Sequence, residues 1–154
     1  MKNKKGFTLI ELLVVISIIG ILAALATISF TSSQKQARDT KRKSDLRWYQ
    51  NAVELYANKN DGYYPMWYTG LSASGDQFCV GSLNTSKCPV DPKFSSDTNY
   101  YYHYQSDGTG NSGSALATKY ILWAKTENVT GYWVLCSSGS VFSSDSQPNI
   151  DSCP

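Results

Sequence analysis

FTLIELLVVISIIGILAALATISF, residues 7–30, carries a single charge, Glu11. As a helix rising about 1.5 Å per residue it would be about 36 Å long, enough for a bilayer core of about 30 Å. The stretch has no polar face, so it expects lipid or other helices on every side. Lys2, Lys4, Lys5 and Gly6 precede it.

Glu11 makes the stretch specific. A carboxylate in a membrane segment costs about 2.5 kcal/mol or more unless it is paired or reaches the interface, so such residues are functional candidates. A short basic leader, then Gly6-Phe7-Thr8-Leu9-Ile10-Glu11, then a long apolar run, resembles the prepilin signature of type IV pilins and their pseudopilin relatives. The resemblance implies cleavage between Gly6 and Phe7 by a prepilin peptidase and N-methylation of the new Phe7 amine. It further implies an α+β pilin fold, a helical homopolymer, and an assembly platform with its ATPase in the inner membrane. Before assembly the subunit would sit in membrane lipid, single-pass with its head outside; afterwards it would belong to an extracellular pilus. Phe7 and Glu11 are one helical turn apart, so the amine of an incoming subunit could meet Glu11 of one already placed. Glu11 is thus expected to set subunit register. Secretory cleavage after Ala24-Leu25-Ala26 is disfavoured by the acid within the apolar core and by the helical pattern that continues beyond it.

Beyond Phe30 there is no proline or glycine until Gly62. Leu46, Tyr49, Val53 and Tyr56 recur at helical spacing, widened by Ala52 and Ala57, with Lys43, Arg47, Glu54 and Asn58 opposite. Asn60-Asp61-Gly62 supplies a stop, with Gly62 as the left-handed cap. The expectation is one helix of roughly 80 Å from about Phe7 to about Asn60. Gly20 alone weakens it, and the proline that many family members place a few residues later is missing. The domain reading is a leader at 1–6, a transmembrane or filament-core helix at 7–30, an amphipathic half at 31–61 and a globular head at 62–154. Residues 63–96 read as irregular, and Cys88-Pro89-Val90-Asp91-Pro92-Lys93 resembles the family's turn into the sheet. Strands are expected at 99–105, 118–125 and 132–136, with a short fourth at 140–142, forming an antiparallel meander over the helix; 106–114 reads as a glycine-rich loop.

The chain has 154 residues and a formal charge of +2. Without the leader it has 11 basic and 12 acidic side chains, which excludes a basic nucleic-acid-binding domain by overall charge. Lys35, Arg38, Lys41, Arg42, Lys43 and Arg47 form a collar opposed by Asp39 and Asp45 only. It could meet DNA phosphates or anionic lipid, but acidic patches on neighbouring subunits are the expected partners. Counted alone, the collar favours a cytoplasmic head; the resemblance and the cysteines favour an external one. Cys79, Cys88, Cys136 and Cys153 allow three pairings, of which 79–88 with 136–153 is the expectation, and disulfides imply an oxidising compartment. No catalytic set or phosphate loop is evident. His103, in a tyrosine-rich strand, reads as a packed or surface residue, and alternation puts Tyr100, Tyr102 and Tyr104 on one face, as sheet core or as a glycan-binding patch. Some pseudopilins bind calcium near the C-terminal loop, which draws attention to Asp145 and Asp151; a solvated tail tied by Cys153 is the expectation, with no cofactor and no metal site.

Overall fold

The computed structural model describes residues 6–68, 71–75 and 77–154, the side chains of 25–29 and 71 excepted. The leader residues Met1–Lys5 lie outside the described residues. One helix, α1 (Leu9–Asn58), runs unbroken through Gly20 for 50 residues, about 75 Å. Thr8 caps its start and Glu11 completes the capping box. At the other end the Gly62 N–H donates to the Ala57 carbonyl at 2.9 Å. Asp61 and Gly62 both hold positive φ, 54° and 84°, so the stop falls where the Asn-Asp-Gly run places it.

In the first half of α1 the described side chains from Phe7 to Leu22 are exposed. Among the described residues no helix is long and apolar enough to cross a membrane. The second half buries Arg42, Leu46, Tyr49, Val53 and Ala57, spaced by three or four residues along one stripe.

That stripe lies under a five-stranded antiparallel sheet of order β2-β3-β5-β6-β7 (β2 Leu71–Ser72, β3 Tyr102–Ser106, β5 Tyr120–Thr126, β6 Gly131–Cys136, β7 Val141–Ser144). Tyr102, Tyr104, Tyr120, Leu122, Ala124 and Leu135 meet the helix in one core. Burying each Leu or Val there contributes about 1.5–3 kcal/mol. Ile121, Trp123, Val134 and Cys136 form a second cluster on the outer face. Disulfides join Cys79 to Cys88 and Cys136 to Cys153.

Three expectations are corrected. The 106–114 region is not all loop: Asn111–Ala117 is a strand, β4, pairing with β1 (Tyr64–Trp67) in a separate two-stranded sheet. Its polar, glycine-bearing sequence has little intrinsic strand tendency, and pairing with a distant segment overrides that. Residues 63–96 likewise hold β1, β2 and a helical turn at 77–82. Tyr100 precedes β3, and its ring lies near the cations of Arg42, Lys93 and Lys125 instead of joining Tyr102 and Tyr104 on the strand.

A Cβ at Gly62 would meet nothing within 4 Å, so only backbone strain opposes a side chain there. Gly62→Ala should therefore cost about 1 kcal/mol, seen as a lower denaturant midpoint with an unchanged slope.

Candidate assembly site

The described N-terminal end presents Phe7, 84% exposed. Glu11 is one turn further on, and its carboxylate accepts the Thr8 N–H at 2.8 Å and the Thr8 hydroxyl at 2.7 Å. The Thr8 hydroxyl in turn accepts the Glu11 N–H at 3.3 Å. Phe7, Ile10, Glu11, Val14 and Val15 border one open, apolar hollow of about 370 Å³. The only charge in the apolar half thus sits at the helix N-terminus, where backbone N–H groups favour a carboxylate. An amine on Phe7 would arise beside it.

The collar is not the outward basic band that charge counting implies. Arg42 is 0% exposed. Its guanidinium donates to Asp91 at 2.6 and 2.9 Å and to Asp39 at 2.7 Å, and lies 2.7 Å from Glu127. Arg38 forms a two-pronged pair with Glu127 at 2.7 and 2.8 Å. Asp39 also accepts the backbone N–H groups of Glu127 and Asn128. Lys41 pairs with Asp45, which accepts the Tyr102 hydroxyl at 2.7 Å. Burial opposes the Arg42 charge, but hydrogen bonds to Asp91, Glu127 and Asp39 outweigh it and hold its pKa above the ordinary guanidinium value. Sequence spacing gave a hint for Asp39, three residues from Arg42 on one helix face; nothing local pointed to Asp91 or Glu127.

Glu54, expected on the polar face, accepts the Tyr120 hydroxyl at 2.7 Å and the Tyr64 hydroxyl at 3.2 Å. His103 is stacked between Tyr101 and Trp123, with ring centroids 3.9 and 4.6 Å away. Asp145 and Asp151 border different hollows, and among the described residues no three His, Cys, Asp or Glu side chains gather as a metal site.

Removing the Arg42 side chain would leave Asp91 buried and uncompensated, so Arg42→Ala should cost about 3–5 kcal/mol, whereas Arg42→Met with Asp91→Leu should cost much less; chemical denaturation of the two variants checks this. Acid should act in two steps. Burial lowers His103 to about 4 from 6.5, so the unfolded chain takes up that proton first and stability falls from about pH 6.5 towards about pH 4. The Arg38 hydrogen bonds lower Glu127 from 4.5 to about 2, helped by Arg42. Its contribution is complete above about pH 4.5 and lost as pH falls towards about 2. Melting curves from pH 7.5 to pH 3 should show both limbs, and His103→Phe should flatten only the upper one.

A family model, the prokaryotic N-terminal methylation motif, matches residues 1–27. The type II secretion system core protein G of Aeromonas hydrophila is 31% identical over 116 residues, 75% of this chain and 75% of that protein. The type IV wide pilus major component PilA4 of Thermus thermophilus is 36% identical over 95 residues, 62% of this chain and 65% of that one. The type IV major pilin protein PilA of Myxococcus xanthus is 39% identical over 61 residues, 40% of this chain and 28% of that one. No solved structure matches the chain. The motif accounts for the helix start alone, but the Aeromonas alignment is too long to stop at the helix and must take in the head. With Glu11 at the capped start of a bare apolar helix and an antiparallel sheet on its other half, the chain belongs to the family of type IV pilins and type II secretion pseudopilins.

Proposed function

We propose that this chain is the structural subunit of a type IV pilus-like filament, cleaved by a prepilin peptidase between Gly6 and Phe7, methylated at Phe7 and polymerised through α1. The observation that carries this reading is the division of α1: one half is packed under a sheet, and the other is apolar and bare within the subunit. A helix with no polar face is stable only in lipid or among other helices. The subunit would be held in the inner membrane by residues 7–30, head outside, until the assembly platform and its ATPase transfer it to the filament. Glu11 would then exchange its Thr8 contacts for the methylated amine of a neighbour. The subunit's role is structural and involves no catalysis. Two disulfides in the head support an oxidising, external location. Since Arg38, Lys41 and Arg42 are paired within the subunit, the collar is a poor DNA site, and its remaining exposed cations serve contacts between subunits.

A second reading, a pseudopilin of a secretion or DNA-uptake system, is favoured by the extent of the alignment to protein G. The two part on where the filament is found: a surface pilus is released by shearing, and a pseudopilus stays in the envelope.

Intact-mass and N-terminal analysis of sheared filaments should return a chain beginning at N-methylated Phe7; a chain still beginning at Met1 and confined to the membrane would overturn the proposal. Glu11→Ala subunits should be cleaved yet fail to assemble, and filaments of normal yield from that variant would remove Glu11 from the mechanism.

A further inference from the structure

The two flanks of the head half of α1 differ. On one, Gln36, Asp39, Thr40 and Lys43 border a hollow together with the β5–β6 turn. On the other, Ala52, Leu55, Tyr56 and Lys59 border a hollow with residues 82–85, inside the loop closed by Cys79–Cys88. At 3.6 residues per turn, these sets lie about a quarter turn to either side of the buried stripe through Arg42, Leu46, Tyr49 and Val53. They are opposite edges of the subunit.

The first edge carries an apolar knob. Val129, 66% exposed, stands on the β5–β6 turn. That turn is held just before the knob: Asp39 accepts the backbone N–H groups of Glu127 and Asn128, and the Glu127 carboxylate is gripped by Arg38 and Arg42. The second edge carries a hollow of about 190 Å³ in which Ala52, Leu83 and Leu55, the last 55% exposed, stand among polar residues including Lys59, Asn60 and Asn84. The first rim is mixed in charge, with Lys43 over the Trp133 ring and Asp39 engaged with the β5–β6 turn, which leaves Asp145 as its exposed carboxylate; Lys59 is the one charge on the second.

Subunits that leave one membrane in one orientation are parallel, so the first edge of one faces the second edge of the next. A contact between two different patches of the same chain is heterologous, and when its rotation does not close it builds an open helical filament. We propose that Val129 of one subunit seats in the Ala52–Leu55–Leu83 hollow of a second copy, with Asp145 beside the partner's Lys59. This rests on the filament reading above and gives it a lateral contact in the heads. The helix residues at the two edges are centred about 16 positions apart, so the subunit offering Val129 stands about 24 Å further from the membrane end than the one receiving it.

The test uses the full chain in sheared filaments. Val129→Cys and Leu55→Cys together should give, on mild oxidation, a ladder of disulfide-linked subunits, and either substitution alone should give none. Val129→Asp should lower filament yield about tenfold or more, as loss of a central apolar anchor does, and Leu55→Lys added to it should recover part of the yield. Both side chains are exposed in the subunit, so the melting midpoint of the head should be unchanged. Filaments in which the double-cysteine chain stays monomeric, or Val129→Asp filaments at ordinary yield, would overturn this contact and leave the filament reading standing. A disulfide to a different protein would also overturn it, by giving the hollow another occupant. If the unsubstituted chain forms no filaments, the filament reading fails and this contact with it.

Discussion

Arg42 can be buried only because three carboxylates from three separate segments surround it. Asp39 is one turn earlier on α1, Asp91 follows Cys88 in the long connection, and Glu127 opens the β5–β6 turn. A guanidinium taken out of water is costly, and its partners recover that cost only when all are in place. A head that slid along the helix by one turn would strand the charge. The cluster therefore acts less as a source of net stability than as a register pin, fixing which part of α1 the sheet can cover. Everything on the head's underside follows from it, including the aim of the β5–β6 turn and the placing of Tyr100 among cations.

The pin lets one helix serve two surroundings. Beyond Arg42 the helix is a core element with tyrosines packed across it; from Phe7 to Leu22 its described side chains are exposed. Force or displacement applied to the bare half is carried into the head through a continuous helix with no proline and no break at Gly20. Glu11 fits the same economy. A solitary carboxylate in an apolar run would be driven to any cation, but this one is already hydrogen-bonded to Thr8. On the proposed assembly, pairing with a neighbour's amine would be an exchange of partners, and its value would lie more in choosing one stagger between helices than in bulk affinity.

Much of this was legible in the chain. The apolar run with its one acid, the absence of helix breakers before Gly62, and the strands dense in aromatic residues each state their structure locally, because periodicity and backbone preference are local properties. The β1–β4 pair was not legible: Asn111–Ala117 becomes a strand only because residues 64–67 offer it an edge. Glu54 was misread for a related reason. Helical spacing set it opposite the core, yet Tyr64 and Tyr120 reach round to its carboxylate with hydroxyls from far along the chain. A long aromatic side chain can extend the buried surface past the stripe that periodicity marks.

The collar shows where counting charges fails. Six basic residues within 13 positions look like an outward band, and a count cannot see that two of their partners, Asp91 and Glu127, lie 49 and 89 residues away from the arginines they meet. On the external-head reading those partners are made later than the collar, so Arg38 and Arg42 would lack Asp91 and Glu127 while the chain is inserted, and the collar, opposed only by Asp39 and Asp45, would resist passage of the head. On the external-head reading, folding resolves this: once the sheet closes over α1, Arg42 and Arg38 are held by carboxylates that belong to the head. Returning the collar to the membrane would require unfolding the sheet. The ion cluster that sets the register of helix and head would in that case also make the topology of the subunit irreversible, which is what a pool of subunits waiting in a membrane for assembly requires.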